Sequence, residues 1–251
     1  MLVPKVARRF DRVGSTNAAL LQALRDKEPL PSGAVFVTDA QTAGRGQGDR
    51  FWHATPGDNL TLSMLFEPED LSVDRIFALT EAAALAVADC VATCAPRARV
   101  RIKWPNDVYV ADRKIAGILI QNGLRGSRVQ WSVIGIGLNV AEAAFPPELQ
   151  STATTLTEWA GANLRPDIVL PLLLDALGRQ FSRIGRAELP GLRQDYLSRL
   201  YLMSQEHTFR RLADGERFRA TVAGVDVEGR LLLIHSNGRR EAFELRSLSY
   251  R

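Results

Sequence analysis

The chain has 251 residues, 46% hydrophobic and 24% charged, which is typical of one sizeable globular domain with a small second one. It lacks the roughly 18-residue apolar run of a membrane helix and the apolar core of a secretion signal, so we expect no membrane or secreted protein. The net charge of +4 allows an acidic partner, but the basic residues are dispersed without a DNA-binding motif, so we expect no DNA partner. Cys90 and Cys94, the only cysteines, lie one helical turn apart, which favours buried thiols and a reduced, cytoplasmic protein.

Helix and strand patterns are mixed through the first four fifths of the chain. The residues Ser15-Thr16-Asn17 form a good helix N-cap before an amphipathic segment at 18–27. Alanine- and leucine-rich periodicity predicts a long helix at 73–94, and two further helices follow at 166–184 and 191–202. Apolar or alternating runs predict strands at residues 34–39, 59–66, 100–103, 108–111, 115–121 and 129–138.

After Ser204 the pattern changes to short alternating runs separated by turn signals. Asn237-Gly238 between two of these runs is a strong hairpin signal. The runs lie at residues 209–211, 218–226, 230–235 and 240–245. We therefore predict a mixed α/β (α+β) fold with two domains, residues 1–204 and 205–251, the second a small antiparallel barrel packed on the first.

A glycine-rich loop, GRGQG at residues 44–48, follows a predicted strand. It does not match the dinucleotide-binding fingerprint, because its spacing differs and no helix begins after it, and the Gly-Lys of a P-loop is absent. Arg45 and Arg50 suit bidentate contacts to phosphate, and the indole of Trp52 can stack on a purine. The loop is either a nucleotide-binding loop or a surface loop with a packed tryptophan.

Residues 103–121 read KWPNDVYVADRKIAGILIQ and alternate polar with apolar side chains. Lys103 and Lys114 can neutralise charge that develops at phosphorus, and Asp107 offers the hard oxygen ligands that magnesium prefers. The segment therefore favours a site for an anionic substrate. A twisted hairpin with solvated lysines would show the same pattern.

A third segment, VIGIGLN at residues 133–139, places Gly135 and Gly137 inside a buried strand. Glycine weakens a strand, so the pair indicates close approach of backbone or ligand. Asn139 at the strand end offers a donor and an acceptor together. A packing contact that needs glycine explains the segment equally well.

A series of short motifs follows in chain order: GSTN (14–17), QTAGRG (41–46), FW (51–52), KWPND (103–107), RKIAGIL (113–119) and GIGLN (135–139). Together they resemble biotin protein ligases from about residue 9 to the carboxyl terminus, and FPPEL (145–149) and TATTL (152–156) also look like this family's loop after the Asn strand. The resemblance implies a catalytic domain related to class II aminoacyl-tRNA synthetases and a small SH3-like carboxyl-terminal domain.

The resemblance also implies two reactions with ATP and biotin as substrates and Mg²⁺ as the metal. In the first, the biotin carboxylate attacks the α-phosphorus of ATP and gives biotinyl-5′-AMP and pyrophosphate. In the second, a lysine amine on the biotin carboxyl carrier protein or domain of a biotin-dependent carboxylase attacks this mixed anhydride.

By position, the resemblance assigns residues to three kinds of site. The biotin-binding residues are Ser15, Thr16, Asn17, Gln41, Gly44, Arg45, Gly46, Lys114, Gly117, Gly135 and Gly137. The ATP-binding residues are Arg45, Gln47, Arg50, Trp52, Lys103, Asn106, Lys114 and Asn139, and the metal ligand is Asp107. The implied catalytic residues are Lys114, Arg45 and Lys103, with Lys114 between the biotin carboxylate and the α-phosphate.

Within this set, Ser15, Thr16 and Gln41 would bond the ureido ring, the glycines in the strands would leave room for the bicyclic ligand, and Trp52 would stack on adenine. The loop at 41–53 is then expected to order over biotinyl-AMP and to shield the anhydride from water.

Two positions depart from the family pattern. Many relatives carry arginine where Gln47 stands, which predicts weaker retention of the adenylate unless Arg50 substitutes, and Gln121 replaces a commonly acidic residue. Only 13 residues precede Gly14, where bifunctional relatives carry a winged-helix domain, so we expect a ligase without repressor function.

The sequence leaves three questions open. Relatives occur both as monomers and as homodimers, and nothing in the chain decides between them. A lipoate or octanoate ligase or transferase on the same scaffold is an alternative function. A non-catalytic biotin-binding protein is another.

Overall fold

The computed structural model describes residues 2–46, 48, 51–141, 145–184 and 188–250. Its larger sheet has seven strands: β1 (Lys5–Phe10), β2 (Ala34–Thr38), β3 (Asn59–Phe66), β4 (Val100–Lys103), β5 (Asp107–Val110), β6 (Arg113–Arg125) and β7 (Arg128–Asn139). Their order is β1-β2-β3-β7-β6-β5-β4. Only β1 and β2 pair in parallel in this sheet as described, and every other neighbouring pair is antiparallel.

The six strands predicted for this part of the chain are present, with ends that differ by a few residues. The first strand was not predicted. Its sequence, KVARRF, carries three cations, and most of its side chains are exposed at the sheet edge. An edge strand with so little buried surface has no apolar alternation from which to predict it.

Helices cover both faces of this sheet. Helix α1 (Thr16–Arg25) lies on one face, where Leu20 packs with Phe36, Leu65 and Val133. The other face packs against α2 (Ala78–Cys94), which follows a 3₁₀ turn at Val73–Arg75 and contacts α4 and α5. The remaining helices are α3 (Leu156–Ala160), α4 (Pro166–Phe181) and α5 (Leu189–Ser198).

Two expectations for these helices need correction. Ser15 occupies the N-cap of α1, but its side chain makes no capping hydrogen bond within the described structure. Cys90 and Cys94 are both free thiols, yet only Cys90 is fully buried, because Cys94 lies at the last turn of α2.

Contrary to the expectation from the sequence, the segment Val73–Cys94 is long and apolar enough to cross a membrane, judged by length and composition alone. In the fold, 72% of its apolar window is buried against the rest of the protein. A core helix has the same composition, because all of its faces contact apolar neighbours.

The carboxyl-terminal part forms a second sheet, named here the C-terminal sheet. Its strands are β8 (Glu206–Arg211), β9 (Arg217–Val225), β10 (Leu231–His235), β11 (Arg240–Phe243) and β12 (Leu248–Tyr250), in the order β11-β10-β9-β8-β12. All neighbours pair antiparallel, and the predicted hairpin joins β10 to β11, with Gly238 in the left-handed region at φ +81°. The last strand was not predicted, because it is only three residues long.

The C-terminal sheet packs directly on the rest of the protein. The indole N–H of Trp104 donates to the carbonyl of Gly229 at 2.8 Å. Arg193 on α5 donates to the carbonyl of Val225 and also pairs with Glu81 on α2 at 3.0 Å between nitrogen and oxygen. A continuous set of buried apolar residues joins the two sheets, so the C-terminal sheet is held at a defined place beside the cavity described next.

Candidate functional site

A cavity of about 790 Å³ lies between the seven-stranded sheet, the loop after β2, the loop after β7 and the C-terminal sheet. It collects side chains from every motif identified in the sequence. The predicted site residues that line it are Ser15, Thr16, Asn17, Gln41, Arg45, Gly46, Trp52, Lys103, Asn106, Asp107, Lys114, Gly117, Gly135, Gly137 and Asn139. Gly44 does not line it, and Gln47 and Arg50 lie outside the described residues.

One end of the cavity is backed by a chain of hydrogen-bonded polar groups. The oxygen of the Gln41 side-chain amide accepts from the backbone N–H of Thr16 at 2.9 Å. Ser63 Oγ lies 2.7 Å from Thr16 Oγ1 and 2.5 Å from Asn17 Oδ1. A hydroxyl donates only one hydrogen, so Ser63 can donate to Asn17 and accept from Thr16. Ser63 is fully buried on β3, and sequence analysis missed it.

The side-chain amide of Asn17 is fully engaged within the protein. Its nitrogen donates to the carbonyl of Leu119 at 3.2 Å and to Gln121 Oε1 at 3.1 Å, while its oxygen accepts from Ser63. A Cβ at Gly135 would lie 2.3 Å from Asn17 Oδ1, so Gly135 makes room for this asparagine in the present conformation. Gln121 therefore accepts a hydrogen bond from Asn17, and the carboxylate of an acidic residue at this position could accept the same bond.

The other end of the cavity is cationic. Lys114 Nζ lies 2.6 Å from Asp107 Oδ1, and about a third of the lysine side chain is exposed. The backbone of Lys114 is held from both sides, because its N–H donates to the Thr152 carbonyl at 2.7 Å and its carbonyl accepts from the Thr154 N–H at 3.0 Å. Arg45 is exposed at the same cavity. These groups place positive charge where an anionic ligand would enter.

Trp52 covers the two glycines on the cavity floor. A Cβ at Gly137 would lie 2.2 Å from Trp52 Cε2, and a Cβ at Gly117 would lie 3.2 Å from Trp52 Cζ3. The buried indole nitrogen has no hydrogen-bond partner among the described residues. The space that these glycines leave is thus taken by the indole, which must move before a ligand can occupy it. Gly44 fixes the base of this loop, since its carbonyl accepts from the Trp52 N–H at 3.1 Å.

The two asparagines assigned to ATP binding differ in how their side-chain amides are bonded within the protein. The side-chain nitrogen of Asn106 donates to the Ile118 carbonyl and braces the turn between β4 and β5. The side-chain nitrogen of Asn139 donates to the Thr154 carbonyl at 3.1 Å, while its buried oxygen has no partner in the described part of the chain. Asn139 can therefore accept one hydrogen bond from a ligand amino group.

The C-terminal sheet and its loops contribute residues to the cavity that sequence analysis did not find: Leu212, Arg246, Leu248, Ser249 and Tyr250. No local pattern marks them, because they approach the site only through the packing of the two sheets. Arg246 has a left-handed backbone at φ +65°, which is uncommon for a residue with a side chain.

The described residues contain no cluster of three or more side chains that could hold a metal ion. Asp107 remains a single carboxylate, already paired with Lys114. This arrangement suits a cation that arrives with its own phosphate and water ligands better than a resident ion.

Residues 9–139 match the model of the biotin/lipoate A/B protein ligase family. The chain belongs to this family. The biotin–[acetyl-CoA-carboxylase] ligase of Paracoccus denitrificans is 31% identical over 233 residues, covering 91% of this chain and 94% of that protein. The ligase of the same name from Mycobacterium tuberculosis is 33% identical over 224 residues, covering 88% and 80%. The resemblance to biotin protein ligases drawn from the motifs is thereby confirmed.

The bifunctional ligase/repressor BirA of Bacillus subtilis is 31% identical over 218 residues, covering 85% of this chain but only 65% of that protein. Among solved structures, the biotin protein ligase from Aquifex aeolicus in complex with biotin and ATP superposes with a TM-score of 0.78 at 23% identity, covering 97% of both chains. A mutant of the same ligase in complex with biotin superposes with a TM-score of 0.79. The mixed α/β fold is thus that of biotin protein ligases.

Proposed function

We propose that this protein activates biotin with ATP to biotinyl-5′-AMP and then transfers biotin to a lysine of a biotin carboxyl carrier protein. The observation that carries the proposal is a single cavity with a neutral hydrogen-bonding end and a cationic end. At the neutral end Thr16 and Gln41 line the cavity, and Ser63 is buried behind them and bonded to Thr16. This arrangement suits a ligand ring that has donors and acceptors. The cationic end suits a carboxylate next to a polyphosphate.

In the proposed first step, an oxygen of the biotin carboxylate attacks the α-phosphorus, the bond from that phosphorus to the bridging oxygen breaks, and pyrophosphate leaves. Both reactants are anions, so their approach has to be screened. Lys114, with Lys103 and Arg45 on the same cavity, supplies this positive charge. Lys114 would exchange part of its contact with Asp107 for the incoming oxygens.

In the proposed second step, the neutral amine of the acceptor lysine attacks the carbonyl carbon of the mixed anhydride. The bond between that carbon and the phosphate oxygen breaks, AMP leaves, and the amine loses a proton as the amide forms. Shielding of the anhydride by the loop at residues 41–53 would limit hydrolysis before the carrier arrives.

Magnesium is proposed to enter with the nucleotide. Bound there, it would neutralise phosphate charge and orient the leaving pyrophosphate. Asp107 fits as one carboxylate ligand at the cationic end, with phosphate oxygens and water completing the shell.

We further propose that residues 1–204 form a catalytic domain related to class II aminoacyl-tRNA synthetases and residues 205–251 an SH3-like domain. The five-stranded antiparallel C-terminal sheet supports the second assignment. The carrier is proposed to belong to acetyl-CoA carboxylase, as in the names of the relatives from P. denitrificans and M. tuberculosis. The free thiols of Cys90 and Cys94 support a reducing compartment, proposed to be the cytoplasm.

Biotin-dependent exchange of labelled pyrophosphate into ATP tests the first step directly. We expect exchange with biotin and none with lipoate or octanoate, because only biotin matches the donors and acceptors at the neutral end. Exchange with lipoate instead of biotin would show that the protein is a lipoate ligase of the same family. Binding of biotin without exchange would identify a non-catalytic binding protein.

A further inference from the structure

Lys103, at the end of β4, lies among three of the chain's four tyrosines. Its ammonium nitrogen is 4.6 Å from the centroid of the Tyr250 ring, 4.8 Å from that of Tyr109 and 5.9 Å from that of Tyr201. It also donates to the Tyr109 hydroxyl at 3.2 Å. All three distances are within the range in which an aromatic face attracts a cation. We name this set of residues the tyrosine cage.

The three rings support one another. Tyr109 and Tyr201 have centroids 5.6 Å apart, and Tyr201 and Tyr250 have centroids 6.4 Å apart. The Tyr201 hydroxyl donates to Asp112 at 2.8 Å, which fixes that ring from outside the cage. The cage is therefore a packed group and holds the ammonium in one place.

Tyr250 differs from the other two because it comes from the C-terminal sheet. It lies on β12, pairs with Phe209 on β8, and lines the cavity together with Lys103. Its hydroxyl oxygen is buried and has no hydrogen-bond partner among the described residues. A buried hydroxyl without a partner is uncommon, and one that lines a ligand cavity is available to a ligand.

We propose that Tyr250 is a positioning residue through which the C-terminal sheet completes the cationic end of the cavity: its ring holds the Lys103 ammonium, and its hydroxyl donates to a ligand oxygen. This inference rests on the proposed function and deepens it. The catalytic domain alone would leave Lys103 with one side of its cage open to water, where a long flexible side chain samples many positions. The C-terminal sheet is then needed for adenylate formation as well as for any contact with the carrier.

The protonation state of Tyr250 agrees with a donor role. Burial, with smaller contributions from Tyr109, Tyr201 and Asp107, raises the pKa of the Tyr250 hydroxyl well above its usual value. The group therefore keeps its hydrogen at neutral pH and can offer it to a phosphate oxygen.

The test compares Tyr250→Leu, which removes ring and hydroxyl, with Tyr250→Phe, which removes only the hydroxyl. With the full-length protein, kcat and KM for ATP are measured by biotin-dependent pyrophosphate exchange. We expect kcat/KM for ATP to fall by about tenfold or more in Tyr250→Leu and by about threefold in Tyr250→Phe. Val227→Ala, an exposed position in the loop between β9 and β10 that does not line the cavity, serves as the control and should match wild type.

To distinguish a positioning role of Tyr250 from a purely structural one, kcat/KM for ATP is measured again for Tyr250→Leu in a protein that also carries Lys103→Met. If the Tyr250 ring acts through Lys103, Tyr250→Leu should lower kcat/KM there by only about threefold, the effect of the lost hydroxyl alone, whereas a general loss of packing should cost as much as in wild type. Biotin affinity should stay within threefold of wild type, because the neutral end of the cavity is built from other elements. Should Tyr250→Leu fail to fold, Tyr250→Met replaces it.

The inference is overturned if Tyr250→Leu stays within twofold of wild type, if its effect is undiminished in Lys103→Met, or if biotin affinity falls equally. Absence of exchange in the wild-type protein would instead contradict the proposed function itself.

Discussion

Replacing Lys114 by alanine is the sharpest test of the cationic end. The ammonium lies 2.6 Å from Asp107 Oδ1 and 5.7 Å from the centroid of the Trp52 ring, so it sits between a fixed anion and the aromatic floor of the cavity. Truncation removes the cation and leaves Asp107, about a quarter exposed, without this partner. The pair of side chains, neutral in wild type, then carries a net negative charge where two anions must meet.

The magnitude follows from the charge. Loss of one preorganised group that stabilises developing charge costs about 3–4 kcal/mol of the barrier, or about a hundredfold to a thousandfold in rate. A carboxylate left about 5 Å from an incoming anion adds repulsion of about 3 kcal/mol at an effective dielectric constant of about 20. The second effect is smaller where water or magnesium screens Asp107. We therefore expect at least a hundredfold loss of adenylation.

Pyrophosphate exchange at saturating biotin measures this loss, and stopped-flow formation of biotinyl-AMP separates chemistry from binding. Arg113→Ala is the matched control, since it removes the neighbouring cation on β6, which pairs with Glu158 and does not line the cavity. Its exchange rate should stay within threefold of wild type. Activity of Lys114→Ala within tenfold of wild type would refute the role assigned to this lysine.

Three further predictions concern the neutral end, the cavity floor and the core. Ser63→Ala leaves two buried polar groups without their link and should weaken biotin binding about tenfold by titration calorimetry; a change below twofold would speak against it. Gly137→Ala puts a methyl 2.2 Å from the Trp52 ring, so binding of a biotinyl-AMP analogue should weaken by about tenfold or more; unchanged affinity would mean that the indole and ligand do not share this space. Burial raises the pKa of Glu81 to about 7 despite its pair with Arg193, so the folded state retains a proton that the unfolded chain loses. The free energy of unfolding should thus fall by up to about 3 kcal/mol as pH rises from about 5 to 7.5, and Glu81→Gln should abolish this fall in urea titrations; equal pH dependence in both proteins would contradict the assignment.

Most of the fold was predictable because most elements bury a continuous apolar stripe. The strand Ala34–Thr38 and helix Ala78–Cys94 are nearly all apolar and are buried accordingly. The prediction failed at Lys5–Phe10 and Leu248–Tyr250, one charged edge strand and one very short strand. Both owe their strand conformation to hydrogen bonds with strands that are distant in the chain. Such bonds produce no periodic pattern of apolar and polar residues in the local sequence.

Only part of the candidate site was predictable from the sequence. Motif residues such as Lys114 and Gln41 could be named from the chain because their spacing resembles a known family, and the structure brings them to one cavity. Ser63 and Tyr250 could not, since a serine within an apolar strand and a tyrosine near the chain end are individually unremarkable. Their contacts join residues far apart in the chain.

The sequence by itself determined the set of chemical groups, the family to which they belong, and the order in which the elements occur, because these depend on local periodicity and on motif spacing. Only the tertiary structure decided how each group is used: the Asn17 amide is consumed inside the protein, the indole of Trp52 lies on Gly137, and a tyrosine from the second sheet faces Lys103. The physical reason is that each of these contacts depends on how two separate elements pack, and packing is a property of surfaces that meet only in the folded chain.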